Sequence, residues 1–369
     1  MQYHIADAVR LDVTDRGPRG ERELRSLLDP WEQATDGTAA ADVMIEGLER
    51  PPQGIEVQNP AGDGLTTGWD GSRIYVREGS HWCAFSPPAA EGPFTFACEP
   101  GFPLGRAFRR FVRPALQIAA SAHGITVVHG AAVVDAGGGV VVAGWSESGK
   151  TETALGLMEE GTRFLSDKWT FLFPDASIAC FPVSVGVRRW MLQYAPTLRA
   201  ALPRSASLQF ALAAAASAAN RATARIGALA AAHAALDQAV ALADRAALSP
   251  TAMSAVYGQP PPTQREPLRA LVLLTTVAEG EPTGRLRDAA WAAPRLARSA
   301  SYERREYLDL PRRLRFSASV ETPIDVADDI EQREERQLLA SLAHVRVIEA
   351  RAPFPCDPRR IVAAIRPLL

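Results

Sequence analysis

The chain has 369 residues, 47% hydrophobic and 22% charged, with a formal net charge of −2. That length buries a full core without covalent staples and allows roughly two domains, or one large unit with embellishments. The balanced charge excludes a global basic field for nucleic acid, and no apolar run approaches the ~20 residues that span a bilayer.

The four cysteines, Cys83, Cys98, Cys180 and Cys356, are far apart in sequence and lack zinc-ligand spacing. The N-terminus has neither the basic start nor the apolar stretch of a secretory leader. A reducing, cytoplasmic setting is the expectation.

In chain order, residues 1–105 read as a β-rich N-terminal portion. Strands are predicted at Asp42–Glu46, Gly54–Gln58, Ser72–Arg77, Trp82–Phe85 and Phe94–Cys98, set apart by Gly-, Pro- and Asp-rich turns such as residues 59–64. His81-Trp82 is expected in a hairpin core rather than facing a substrate. Residues 106–369 form the second portion. Apolar residues at helical spacing predict a helix from Arg106 to Ala122, stopped at His123-Gly124. Short strands follow at Ile125–Val128 and Ala131–Val134, then a buried strand at Val140–Ala143. The polar loop Gly144–Gly149 leads into a helix from Lys150 to Glu160, which Gly161 ends. Strands at Arg163–Leu165 and Trp169–Phe173 flank Ser166-Asp167.

Residues 206–247 are Ala-dominated and poor in β-branched side chains, which predicts a helical insertion within the second portion. Strands at Leu268–Leu274 and Ser317–Val320, a helix from Asp328 to Ala343 and a strand at Val345–Ile348 come next. Asp357-Pro358 opens a terminal helix as N-cap and first-turn proline. The pairs Arg304-Arg305 and Arg312-Arg313 are expected on solvated faces.

Of the 40 Lys and Arg residues only two, Lys150 and Lys168, are lysine. Where arginine has replaced lysine almost everywhere, a retained compact ammonium points to a role that a forked guanidinium cannot fill. Lys150 belongs to Gly144-Trp145-Ser146-Glu147-Ser148-Gly149-Lys150-Thr151, an ungapped match to G-x-x-x-x-G-K-[ST]. The chance of that pattern in a chain of this composition is on the order of one in a thousand. The physics needs each part. Glycines let backbone N–H groups wrap a phosphate, and the following helix adds its positive N-terminal end. Lys150 supplies a point charge to the outer phosphates of ATP, and the Thr151 hydroxyl a ligand to Mg²⁺. Ser146, Ser148 and Glu152 complete the candidate nucleotide contacts. Glu147 places a carboxylate in the loop, where it must point outward or reach the metal. Trp145 is expected to pack beside the strand rather than cover the nucleotide.

Two more groups stand near the loop. His129 closes the strand before it, and Asp167 the strand after its helix. In a parallel βαβ unit the carboxyl ends of neighbouring strands face one crevice, where an Asp can take a hydroxyl proton or hold Mg²⁺. Each alone also reads as an ordinary core histidine or turn aspartate.

His129-Gly130, the Gly144–Thr151 loop, Thr151-Glu152-Thr153-Ala154-Leu155-Gly156-Leu157, Gly161 and Phe164-Leu165-Ser166-Asp167 resemble the catalytic domain of the HPr kinase/phosphorylase family. The resemblance covers about residues 125–173. It implies an α/β P-loop kinase domain with a fold similar to the nucleotide-binding part of phosphoenolpyruvate carboxykinase. It implies that Lys150 and Thr151 hold ATP and Mg²⁺, that Asp167 is general base and second metal ligand, and that His129 is its hydrogen-bonded partner. Lys168 departs from the family, which has a second Asp there. The segment Phe181–Trp190 lacks the family's glutamate-containing signature and is similar to the Pro-then-basic segment of kinase relatives in peptide-tailoring systems. Lys168, Arg188 and Arg189 are candidate phosphate or acceptor contacts, weighed for the arginines against surface salt bridges. The resemblance implies ATP-dependent phosphoryl transfer to Ser or Thr of a peptide or protein. A small-molecule alcohol kinase and a non-catalytic nucleotide-binding regulator stay open as alternatives. Neither nucleic acid nor membrane is an expected partner, and a homo-oligomer is left open.

Overall fold

The computed structural model describes residues 1–14, 17–34, 40–49, 53, 55–58, 66–223, 240, 243–317 and 326–369. These form a mixed α/β structure around two large sheets. Of the expected strand Gly54–Gln58, Glu56–Gln58 pair and Ile55 does not, while Gly54 and residues 59–64 lie outside the described residues.

Among the described residues the first sheet has nine strands. Val43–Gly47, Ile74–Glu78, His81–Phe85 and Phe94–Cys98 lie close to their expected positions. Gln2–Ile5, Val9–Val13, Gln33–Ala34 and Thr66–Trp69 join them without having been predicted. The half-buried His81 and Trp82 belong to the 74–85 hairpin, with Arg77 over the Trp82 ring. Cys83 and Cys98, 15 residues apart in sequence, are cross-strand partners with sulfurs 2.9 Å apart.

The second sheet carries the loop. Its centre is three parallel strands, Gly138–Gly144, Glu266–Thr276 and Arg346–Ala352. Successive side chains of a strand face opposite sides, and here both sides are covered. Val140, Val142, Val272 and Ile348 meet the helices Lys150–Glu159 and Pro358–Ile365. Val141, Ala143, Leu271 and Val347 meet the helices Ala289–Leu308 and Ala327–Ser341. Burial on both faces is why residues 140–143 are apolar without alternation.

Thr126–Val128 pairs with Thr170–Leu172. Gly130–Asp135 lies between Gly138–Gly144 and Arg163–Ser166, antiparallel to both. This corrects the expected βαβ geometry. The loop strand and the Asp167 strand are not neighbours, yet both run the same way and end at the same edge of the sheet.

The helix over residues 104–122 contains a π-helical turn at Phe108–Val112 and stops at His123. The helix after the loop, Lys150–Glu159, is followed by Gly161 at φ +97°. Asp357 caps the terminal helix by accepting the Arg359 N–H at 2.9 Å.

Two expectations fail beyond the sheets. The Ala-rich segment is helical over Arg204–Thr223, and most of residues 224–242 lie outside the described residues. Arg245–Leu248 is a strand, not helix, because it pairs with Val185–Arg188. Ser317 ends a helix, Leu310–Ser317, and residues 318–320 lie outside the described residues. Among the described residues no helix is long and apolar enough to cross a membrane.

The boundary near residue 105 does not divide the core. One cluster joins Phe85, Phe94 and Phe96 of the first sheet to Phe111 and Ile118 of the 104–122 helix, and to Trp169, Phe171 and Tyr307 of the second portion.

Candidate active site

The loop Gly144–Gly149 leaves the central strand and turns into the Lys150–Glu159 helix. Gly149 is the N-cap at φ +94°, a left-handed conformation that costs other residues about 1–2 kcal/mol. It offers no side chain to cap the first turn, where the positive end of the helix dipole lies. Gly144 is also required: a Cβ there would lie 2.5 Å from Ser148 Oγ and 3.0 Å from the Leu274 carbonyl. Ser148 Oγ is buried and among the described residues has no hydrogen-bond partner.

Asp167 is brought to this helix start. The Thr151 hydroxyl donates to Asp167 Oδ1 at 2.8 Å. The carboxyl group is only 5% exposed, and burial raises its pKa above the ordinary value against the lowering by Thr151 and the nearby lysines. Glu152 borders the same cleft, its pKa raised by burial and by Asp167. Both lysines of the chain border that cleft, whose volume is about 230 Å³. Lys150 donates to the carbonyls of Trp145 at 2.6 Å and Gly144 at 3.2 Å. Burial lowers its pKa to about 8. Lys168, half-buried, is likewise lowered to about 8, by burial and then by Arg113.

The backbone explains how Lys168 reaches the cleft. It sits at φ +65° in a tight turn closed by the Trp169 N–H donating to the Asp167 carbonyl at 2.7 Å. Such a turn is rare and strained for a non-glycine residue. The Ser166 hydroxyl anchors it, donating to the Trp169 carbonyl and accepting the Phe181 N–H.

His129 is in the cleft but does not bond Asp167. Its Nδ1 shares a 3.0 Å hydrogen bond with Ser299 Oγ, and its ring packs on Trp169 with centroids 4.9 Å apart. Ser299 in turn donates to the Gly144 carbonyl at 3.4 Å. Burial and the charge of Lys150 push the His129 pKa down to about 2. A neutral imidazole tied to the loop through Ser299 positions the loop; it does not tune the carboxylate by contact.

Glu147, at φ +58°, is largely exposed and pairs with Arg188 at 3.4 Å. It still borders the loop cleft, with its carboxylate engaged by that arginine. Ser146 borders the cleft as expected. Arg188 borders it too, whereas Arg189 pairs with Asp244 at 2.5 Å and does not. Trp145 does not pack beside the strand: it is 49% exposed and lies against Tyr302, ring centroids 4.6 Å apart.

Several residues of the site carried no motif. Ser299 and Glu303 come from the Ala289–Leu308 helix, and Arg245 from the unforeseen strand. Arg113 lies in a helix that also carries Arg106, Arg109 and Arg110, so nothing in the sequence singled it out.

Among the described residues no three His, Cys, Asp or Glu side chains cluster as a metal cage. Mg²⁺ bound with a nucleotide needs none: one or two protein oxygens suffice, the rest being phosphate and water. The adjacent hard oxygens of Thr151 and Asp167 fit that donor set. No protein-family model matches the sequence, and no curated protein matches it.

Proposed function

We propose that the protein is a P-loop kinase of the HPr kinase type, moving the γ-phosphoryl group of ATP to a hydroxyl, with Ser or Thr of a peptide or protein as the preferred acceptor. The observation that carries this reading is the 2.8 Å contact between Thr151, at the start of an uncapped helix, and the buried carboxyl of Asp167. The same contact joins the phosphate cradle to a proton acceptor at one edge of the sheet.

In this reading the loop amides and the helix start hold the β-phosphate. Lys150 exchanges its two loop carbonyls for phosphate oxygens. Thr151 and Asp167 would hold Mg²⁺, which when bound neutralises phosphate charge. Asp167 receives the acceptor proton as the acceptor oxygen bonds to the γ-phosphorus and the bond to the β–γ bridging oxygen breaks, releasing ADP. Positioning and charge stabilisation supply most of the rate. Burial raises the pKa of Asp167, which favours proton uptake from the acceptor. Lys168, where the resembling family has Asp, adds positive charge beside the transfer path instead of a metal ligand.

ADP release is measured with Mg²⁺·ATP and a panel of Ser/Thr peptides and small alcohols. Asp167→Asn should lower transfer by roughly 10²–10⁴-fold while leaving ATP affinity within a few-fold. Lys150→Ala should weaken both. A wild-type rate in Asp167→Asn overturns the base assignment. Failure of Mg²⁺·ATP to bind at all overturns the whole reading. Binding without transfer to any acceptor leaves the protein a nucleotide-binding regulator.

A further inference from the structure

Beside the loop cleft lie two further cavities, of about 360 and 770 Å³, and Arg113 and Lys168 border both. Lys168 borders the loop cleft as well, so it stands where three spaces meet. Arg113 is 9% exposed. Among the described residues its Nε has no hydrogen-bond partner. Among the described residues its guanidinium makes no ion pair, and the face of Trp169, 5.9 Å away, is its ring neighbour. Glu303 and Glu306 attract it through space without pairing. Lys168 also makes no side-chain hydrogen bond or ion pair among the described residues, and it is held at a strained φ of +65°.

The larger cavity adds Arg109, Arg188 and Arg245. Its one carboxylate, Asp244, is already engaged by Arg189. Burying a cation without a hydrogen-bonded anion is costly. Strain and unpaired charge are retained where a bound ligand relieves them. Burial lowers the Arg113 pKa to about 10, the response of a cation short of counter-charge. The outer phosphates of a nucleotide already have Lys150 and the loop amides, so this second group of cations is in excess of what the loop needs.

Resting on the phosphotransfer reading, we propose that Arg113 and Lys168 form an anion subsite for the acceptor, so that the acceptor carries a carboxylate or phosphate group as well as its hydroxyl. Lys168 follows Asp167 in the chain. An acceptor whose anion sits on Lys168 and Arg113 therefore presents a nearby hydroxyl to the base. A guanidinium matches either oxyanion through its fork, and the lysine adds a point charge. Fixing the anion converts a loose encounter into an oriented one.

The test is a pair of titrations on the full chain, at constant ionic strength set with chloride. The first measures affinity for Mg²⁺ with a non-hydrolysable ATP analogue. The second, with that analogue saturating, measures binding of sulfate, a phosphate-like probe, and of succinate, a carboxylate probe. Saturable binding of either probe, weakened about tenfold or more in both Arg113→Met and Lys168→Asn, with analogue affinity within threefold of wild type, is the expected result. Which probe binds separates phosphate-bearing from carboxylate-bearing acceptors. Binding of neither probe, or binding that survives both substitutions, overturns the subsite. A tenfold loss of analogue affinity in the variants also overturns it, by assigning the cations to the nucleotide. Absence of analogue binding to the wild type is a different failure, that of the phosphotransfer reading. Removing an unpaired charge should leave the thermal midpoint equal or higher. Should Arg113→Met not fold, Lys168→Asn, at a half-buried position where Asn tolerates positive φ, decides the matter alone.

Discussion

At the scale of single residues, the site holds charge under tension. Asp167 is buried with its proton affinity raised. The folded carboxyl keeps its proton to a higher pH than the unfolded one, so the folded state binds more protons between the ordinary carboxylate range and the raised value. Stability therefore falls as pH rises through that window. Asparagine cannot ionise and can still accept the Thr151 hydroxyl. Asp167→Asn should thus be more stable than wild type at pH 7, by about 1 kcal/mol or more. The advantage should shrink as pH falls into the ordinary carboxylate range, where the unfolded carboxyl also takes up its proton. Urea unfolding of the two proteins at pH 7 and pH 4 measures this, and a variant less stable at pH 7 would contradict it. Arg304 shows the opposite arrangement. Expected on a solvated face, it is 1% exposed and donates from Nη1 to Glu334 Oε1 at 2.6 Å, with Glu334 wholly buried. Arg305, its neighbour in sequence, is exposed and lies over Tyr302. A sequence pair of arginines says nothing about which one a helix turns inward; the partner 30 residues away decides it.

At the scale of elements, the Lys150–Glu159 helix carries Lys150 and Thr151 at its first turn. Its start is legible from the glycines and the Lys-Thr pair, because the constraint is local: a left-handed N-cap and an unobstructed first turn. Gly149→Ala should destabilise the chain by about 1–2 kcal/mol, since φ +94° is strained for any side chain. Steric conflict adds little, because the nearest atom to a new Cβ, in the Phe354 ring, is 3.4 Å away. As the helix start moves, affinity for Mg²⁺·ATP should fall by at least tenfold, which calorimetric titration reads directly. Unchanged affinity with lowered stability would mean that the first turn does not hold the phosphates. Two of the helices that went unforeseen, Gly17–Leu28 and Ala289–Leu308, are rich in arginine and glutamate.

At the scale of the whole molecule, the two sheets share a core. Phe85 lies 4.8 Å from Phe111 and 6.0 Å from Tyr307, ring centroid to centroid, so the first sheet touches helices on both sides of the loop. Heating the intact chain should give one cooperative transition in scanning calorimetry. Two resolved transitions would show that the portions on either side of residue 105 are stable separately. What the sequence by itself determined is local: the phosphate-type loop, the strand before it, the helix after it, and an aspartate at the tip of a later strand. Each is specified by spacing, glycine placement or an apolar run within some 25 residues, where backbone sterics leave few choices. Only the tertiary structure decided the rest. It inserts Gly130–Asp135 between the loop strand and the Asp167 strand, and turns His129 to Ser299 instead of Asp167. It also gathers Arg113, Lys168 and Arg245 around one cavity. Those contacts join segments up to 170 residues apart. Long-range packing and the desolvation of charge select them, and no local pattern records either.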